Sequence, residues 1–379
     1  MDAMRPLNVL HVFRSPVGGL FRHVLDLVQG QIARGHRVGM IVSNLTGGER
    51  ATALLEALAP QLALGITRIP MHRELHPRDL AGAWHVARRI AASGADVIHG
   101  HGAKGGAFAR LAPAKARVVR AYTPHGGSLL FGHDTLAGTV YLTLERMLML
   151  RRALYLFESE YSAAIFHSKI GAPRGLVRIV HNGVGAADFE PVPLAADATD
   201  LVFLGELRQV KGIDVLLRAL ARLRREGRAV TATLVGDGPS EAELRRLAAE
   251  LGLTAAVRFM GAMPARNALA LGRIMVVPSR MESLPYVVLE AAATGKPLIA
   301  TRVGGIGEIF GEQADRLIPA DDDAALADAI ARTLDDPAAA EANAERLHRR
   351  VATAFSVDTM VDAILAAYRQ ALEEKAARS

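Results

Sequence analysis

Ser279-Arg280-Met281-Glu282-Ser283-Leu284-Pro285-Tyr286-Val287-Val288-Leu289-Glu290-Ala291-Ala292-Ala293-Thr294-Gly295-Lys296-Pro297 is a stretch with two carboxylates, eight positions apart, that changes character between them. Arg273 to Pro278, just ahead of it, is a short apolar run closed by proline, the pattern of a buried parallel strand. Val287 to Ala293 reads as a compact apolar helix, with Gly295 and Pro297 as its stop signals. The turn Glu282-Ser283-Leu284-Pro285 then lies between strand and helix. Its backbone N–H groups face outward at the positive end of the helix, a place that binds anions and phosphate above all. Eight residues is a little over two helical turns, so Glu290 falls near the face of Glu282 but deeper along the axis.

The same alternation of strand, glycine-containing turn and helix surrounds this stretch. Leu201 to Gly205 reads as a strand, followed by Glu206-Leu207-Arg208-Gln209-Val210-Lys211-Gly212 and a helix over Asp214 to Arg225. Arg208 and Lys211 are two cations three apart, where a diphosphate would need its charge neutralised. Thr231 to Val235 and Val257 to Gly261 are further strands, the first ending in Gly236-Asp237-Gly238-Pro239. That Gly-x-Gly lacks the third glycine of a dinucleotide fingerprint. Ser240-Glu241-Ala242-Glu243 has the look of a capping box. Leu298 to Thr301 is one more strand, with Gly304-Gly305 and Glu308 beyond it. Asp321-Asp322-Asp323 resembles an acidic metal triplet, but it directly precedes an amphipathic helix and reads better as its N-terminal cap.

The first half repeats the pattern. Leu7 to Phe13 is a strand, Ser15 to Gly19 a turn, Leu20 to Arg34 a helix capped by Gly35, and Val38 to Val42 a second strand. Asp96 to Gly102 runs from strand into a glycine-rich loop with Lys104, and Val118 to Gly127 goes from strand to His125 and glycines. Ligands of open parallel sheets bind beyond the carboxyl ends of strands, where His99, His101 and His125 fall. His99 and His101 read as structural or acceptor-lining, and the three histidines show no carboxylate at metal-ligand spacing. Thr139 to Phe157, rich in Leu and Met with Arg146, Arg151 and Arg152, reads as one helix, a core helix in preference to one lying on a membrane. Asp358 to Arg378 is a final helix, long enough to cross back and brace the first domain.

Composition sets the limits. A chain of 379 residues exceeds what one core usually serves. It has no cysteine, so disulfides and zinc-thiolate sites are excluded, and a reducing cytoplasm is compatible. No uncharged run approaches the roughly 20 residues of a membrane helix. Up to residue 195 there are 22 Lys and Arg against 13 Asp and Glu, and afterwards 23 against 26. A basic front half suits an anionic partner. There is no aromatic-interleaved basic stripe, so nucleic acid is not expected; an anionic membrane surface carrying a lipid-linked substrate fits at least as well as nucleic acid, and for any one of these charges a plain arginine-rich surface is the first explanation.

Taken as a spaced set, these residues resemble the retaining family 4 glycosyltransferases of the GT-B fold. The matching pieces are Gly18-Gly19, His125-Gly126, Asn182-Gly183-Val184, Gly205-x-x-Arg208-x-x-Lys211-Gly212, Gly236-x-Gly238-Pro239, Glu282-x7-Glu290 and Gly304-Gly305 with Glu308. The resemblance implies an α/β chain of two Rossmann-like doubly wound domains facing a central cleft. The acceptor-side domain is expected at 1–190, a linker at 191–200, the donor domain at 201–357, and the returning helix at 358–379. It further implies transfer of a sugar from a UDP- or GDP-sugar to a glycan or lipid-linked acceptor, with no cofactor and no metal. Arg208 and Lys211 are expected on the diphosphate, Gly19 near it, Glu290 on the ribose and Met260 near the base. Glu282, with Ser283, Leu284 and Pro285, is expected on the sugar and phosphate. His125 and Glu282 are the catalytic candidates, and His101 and Lys104 the acceptor-side ones. Many relatives have Gly-Phe-Gly after the first glutamate; here Pro285 removes one N–H donor. An oxidoreductase would need a complete glycine fingerprint, which neither half has. A nucleotide-sugar epimerase and a non-catalytic nucleotide-sugar-binding subunit are the remaining alternatives. The expected setting is bacterial surface or exopolysaccharide assembly, in the cytoplasm or at the inner face of the membrane.

Overall fold

The computed structural model describes residues 5–378 apart from 75, 127–131, 133 and 134. The chain divides into two compact units, 1–183 with 357–379, and 184–356.

The first unit holds seven strands: β1 (Asn8–Phe13), β2 (Arg37–Ser43), β3 (Gly65–Ile69), β4 (Val97–His101), β5 (Val119–Thr123), β6 (Leu154–Phe157) and β7 (Val177–Ile179). They form one parallel sheet in the order β3-β2-β1-β4-β5-β6-β7. β1, β4 and β6 are almost wholly buried, as strands covered on both faces must be. The order reverses between β1 and β4, so the crevice beyond their carboxyl ends is a natural binding place. The last helix, Val357–Ala376, belongs to this unit. It lays Met360, Val361, Ile364, Leu365 and Tyr368 into one core with Val9, Leu27, Val97 and Leu156. Gly30 makes room for it: a Cβ there would stand 2.5 Å from the side chain of Val361.

The second unit has five parallel strands, β8 (Thr199–Leu204), β9 (Ala232–Val235), β10 (Val257–Met260), β11 (Gly272–Val277) and β12 (Leu298–Ala300), in the order β10-β9-β8-β11-β12. Its reversal lies between β8 and β11, so the loops after these two strands face one another. The helix Ile213–Arg225 buries Val215, Leu216, Leu220 and Leu223 along one stripe against β8 and β9. Both units are the doubly wound layers of a GT-B fold, with the expected returning C-terminal helix.

Several local expectations are corrected. Thr139 to Phe157 is not one helix: the helix is Leu136–Leu148, and Leu154–Phe157 is the buried strand β6. Ser240 stands at the N-cap of the helix Glu241–Glu250, but its side chain makes no capping bond. Asp322 does cap the helix Asp323–Asp335, accepting from the N–H of Ala325 at 2.8 Å.

Candidate functional site

In the second unit, the loop after β8 and the loop after β11 meet through charge. Lys211 Nζ lies 2.7 Å from Glu282 Oε1, and the buried Ser279 hydroxyl donates to the same oxygen at 2.7 Å. Two donors on one carboxylate oxygen fix the Glu282 rotamer. The contact depends on backbones that pass too close for any side chain. Gly212, at φ +65°, would place a Cβ 1.9 Å from the Pro278 carbonyl oxygen, and Gly304, at φ +57°, one 1.8 Å from that of Glu282. Gly305 N–H donates to the Ser283 carbonyl at 2.6 Å, laying the β12 loop over the Glu282 turn.

Arg280, which sequence reasoning passed over, ties these loops to the helix start. Its backbone N–H donates to the Val210 carbonyl, and its guanidinium to both oxygens of Asp214, at 2.8 and 2.7 Å, and to Asp321 at 2.5 Å. The Asp214 side chain and Asp321 hold the guanidinium pKa above its ordinary value against partial burial. Asp321, at φ +60°, is therefore an anchor for Arg280.

The other candidates of this unit are placed as follows. Arg208 is half-buried, and its guanidinium lies 3.5 Å from a carboxylate oxygen of Glu206. Pro285 is the N-cap residue of the helix Tyr286–Ala293, whose first intrahelical bonds run from Val288 and Leu289 to the Pro285 carbonyl. The N–H groups of Tyr286 and Val287 precede those bonds and mark the anion-attracting end. Leu284 and Pro285 are buried, Leu284 in the core, so the turn offers backbone and not these side chains. Glu290 lies in the second turn of the helix, partly buried, and Met260 stands exposed at the end of β10.

In the first unit the register brings histidines together. β1 pairs with β4 so that His11 lies opposite His99 and Phe13 opposite His101, and His125 follows β5 two residues beyond Thr123. His11 Nδ1 is 2.9 Å from His101 Nε2, and His101 Nδ1 is 3.1 Å from His125 Nε2. His11 Nε2 meets Gln31 Oε1 at 2.9 Å; His23 Nδ1 meets Asn182 Oδ1 at 3.0 Å. His99 lies between Tyr368 OH, at 2.6 Å, and Thr123 Oγ1, at 2.8 Å. The ring of His23 stands edge-on to that of His125, with centroids 4.7 Å apart. Burial pulls His11 and His23 down to about 4, outweighing their hydrogen bonds to Gln31 and Asn182. Burial, reinforced by neighbouring histidines, holds His99, His101 and His125 well below the usual imidazole range. All five rings are thus neutral at neutral pH. Among the described residues, His11, His99 and His101 form one group whose ring nitrogens lie within 4.8 Å of one another, and His23, His101 and His125 form another. Distances of 2.9 and 3.1 Å along the chain His11-His101-His125 mark nitrogens already engaged with each other.

His101 is 1% exposed and reaches outward only through His125. His125 itself holds the left-handed φ of +51°, rare for a residue with a side chain, and is followed by Gly126 at φ +75°; Gly127 lies outside the described residues. Gly19 is exposed at the start of the helix Gly18–Ala33. Lys104 does not join the histidines but pairs with Asp79 at 2.5 Å and the Glu74 carbonyl at 2.9 Å. His11, His23 and Gln31 escaped the sequence reading because only the β1–β4 register and the first helix bring them here.

Comparison with known proteins agrees with this geometry. A model described as Glycosyltransferase Family 4 matches residues 17–187, and one described as Glycosyl transferases group 1 matches residues 198–336. Glycogen synthase of Mycobacterium tuberculosis is 34% identical over 202 residues, which is 51% of this chain and 48% of that protein. The chain thus matches about half the length of such curated relatives. The phosphatidylinositol N-acetylglucosaminyltransferase gpi3 subunit of Schizosaccharomyces pombe is 25% identical over 89% of this chain and 75% of its own. Among solved structures, sucrose-phosphate synthase from Thermosynechococcus elongatus superposes with a TM-score of 0.79 at 22% identity, covering 96% of this chain and 98% of that one. Anabaena HepE in complex with UDP-glucose does so at 0.78 and 20%, covering 98% and 100%. With one family model over each sheet and both sheets wound as in these structures, the chain is homologous to the family 4 and group 1 glycosyltransferases and has the GT-B fold.

Proposed function

We propose that this chain is a retaining glycosyltransferase that moves a hexose from a UDP- or GDP-sugar to a glycan or lipid-linked acceptor in bacterial surface polysaccharide assembly. The observation that carries this reading is the Lys211–Glu282–Ser279 cluster at the switch point of the second sheet, with Arg208 in the loop of Lys211 and the helix Tyr286–Ala293 starting shortly after Glu282. A diphosphate leaving group needs positive charge that is already in place. Arg208, Lys211 and the N–H groups ahead of Val288 supply it from the protein, so the reaction is expected to persist in chelator. Glu290 then takes the ribose hydroxyls, Met260 borders the base, and Glu282 with the backbone of Ser283 to Pro285 receives the sugar and phosphate. The glutamates do not act as the acid and base of a hydrolase. Departure of the diphosphate on the face where the acceptor attacks, with a diphosphate oxygen taking the acceptor proton, gives retention. The solved relative HepE has been crystallised with UDP and with UDP-glucose, which favours a uridine donor.

Among the described residues no helix is long and apolar enough to cross a membrane. Met147 and Leu150 are exposed just ahead of the exposed Arg151 and Arg152, which favours a peripheral contact with an anionic bilayer at the inner face. Thermal stabilisation by a panel of UDP- and GDP-sugars identifies the donor, since a ligand of the folded state raises stability by mass action. Lys211→Ala and Glu290→Ala are expected to abolish transfer while leaving the fold intact. Unchanged turnover in both would overturn the assignment.

A further inference from the structure

The hydrogen-bonded chain behind His125 has a direction. The Gln31 amide turns Oε1, which is only an acceptor, toward His11 and leaves its own buried Nε2 without a hydrogen-bond partner; in this orientation the His11 nitrogen 2.9 Å from Oε1, Nε2, carries the proton. A neutral imidazole has one N–H, which leaves His11 Nδ1 bare and obliges His101 Nε2 to donate to it across 2.9 Å. The same step repeats. His101 Nδ1 is bare and accepts from His125 Nε2–H at 3.1 Å, which leaves the proton-free nitrogen of His125 at Nδ1. His23, whose ring lies 4.7 Å from that of His125 and 5.7 Å from that of His101, spends its Nδ1–H on Asn182 Oδ1 and keeps a buried lone pair at Nε2.

We infer that Gln31, His11 and His101 are positioning residues that lock His125 in one tautomer, so that its Nδ1 accepts a hydrogen bond from a hydroxyl of the sugar substrate and cannot donate to a phosphate. This rests on the reading of the chain as a glycosyltransferase. The positions support it. His125 is the one member of the chain that keeps appreciable exposure, at the carboxyl end of β5 and in a strained left-handed conformation that the fold maintains. His11, His101 and Gln31 are 0%, 1% and 0% exposed and meet no substrate. A buried polar chain that ends on one accessible ring orients that ring, as outer-shell partners orient a ligand.

The test is a long-range proton–nitrogen correlation spectrum of the histidine-labelled full chain at neutral pH, without substrate. Signals are assigned by the loss of each in His11→Gln, His101→Gln and His125→Gln. The expected result is a protonated Nε2 and a bare Nδ1 on all three rings. In Gln31→Leu, which removes the terminal acceptor, His125 is expected to show a mixture of tautomers. The KM for the nucleotide-sugar should then rise roughly tenfold, the effect of one lost hydrogen bond, with a smaller change in kcat. A proton on His125 Nδ1 in the wild type overturns the inference, as does a Gln31→Leu protein with unaltered His125 signals and KM. Because the spectrum needs no substrate, a wild-type chain with the expected tautomers but no transfer of any sugar would count against the glycosyltransferase reading, not against the locked chain.

Discussion

Lys211 and Arg208 are both cations of one loop, yet their surroundings give them different work. Lys211 is held at 2.7 Å by a carboxylate whose side chain is 9% exposed, whereas the Arg208 side chain is 41% exposed and 3.5 Å from its nearest carboxylate oxygen. Removing Lys211 leaves Glu282 largely buried with Ser279 alone to satisfy it, and breaking such a pair costs on the order of 1–3 kcal/mol. Removing Arg208 leaves nothing unsatisfied, since an exposed pair contributes about 0–1 kcal/mol. Lys211→Met should therefore lower both the urea midpoint and donor affinity. Arg208→Met should weaken donor binding with almost no change in stability. Equal effects of the two on the urea midpoint would show that the Lys211–Glu282 contact contributes nothing to folding.

Elements in this chain are joined by a few buried connections that neighbouring sequence does not reveal. The helix Gly102–Leu111 is tied to the helix Leu136–Leu148 by Arg110, fully buried, whose NH2 donates to Glu145 Oε2 at 2.7 Å, while the Tyr122 hydroxyl donates to Glu145 Oε1 at 2.8 Å. The Arg110 guanidinium also lies over the Tyr122 ring, 3.9 Å from its centre. Arg110→Met would strand a buried carboxylate and is expected to cost about 3–5 kcal/mol, read from urea denaturation. The pair Arg110→Met with Glu145→Leu should recover most of that loss. If the double variant is as unstable as the sum of its parts, the ion pair is not what joins these helices. The connection was not visible from sequence because Arg110 and Glu145 are 35 positions apart. For the same reason Arg280 was missed although it lies inside the most telling stretch: its partners Asp214 and Asp321 are 66 and 41 positions away. What was visible were the apolar strands and their glycine turns: β8 and β11 carry the continuous apolar runs Leu201–Leu204 and Ile274–Val277, and β1 and β4 carry shorter ones beside His11 and His99. The edge strand β3, Gly-Ile-Thr-Arg-Ile, buries only Ile69 and shows no such run. β6 was lost inside an apolar segment that continued, without punctuation, the helix before it.

At the scale of the molecule, five largely enclosed histidines on one side of the first sheet make acid sensitivity a property of the fold. An unfolded histidine takes its proton near 6.5, whereas His11 and His23 in the folded chain take theirs only at about 4. Below pH 6.5 the unfolded chain therefore binds more protons than the folded one. Stability is complete above that pH and falls as pH is lowered toward 4, with no further contribution from these two rings below it. Each fully differential histidine contributes a slope of about 1.4 kcal/mol per pH unit. His99, His101 and His125, shifted the same way by burial, steepen the fall. Urea midpoints of the wild type should hold steady above pH 6.5 and drop steeply beneath it, and the drop should belong to the unit that contains residues 1–183. His23→Gln, which retains an amide able to donate to Asn182 and cannot take a proton, should start from a lower plateau and fall with a shallower slope. A wild-type midpoint that stays flat from pH 6.5 down to about 4 would mean that these rings are charged in the folded chain, and the enclosed, neutral histidine chain that ends on His125 could not exist.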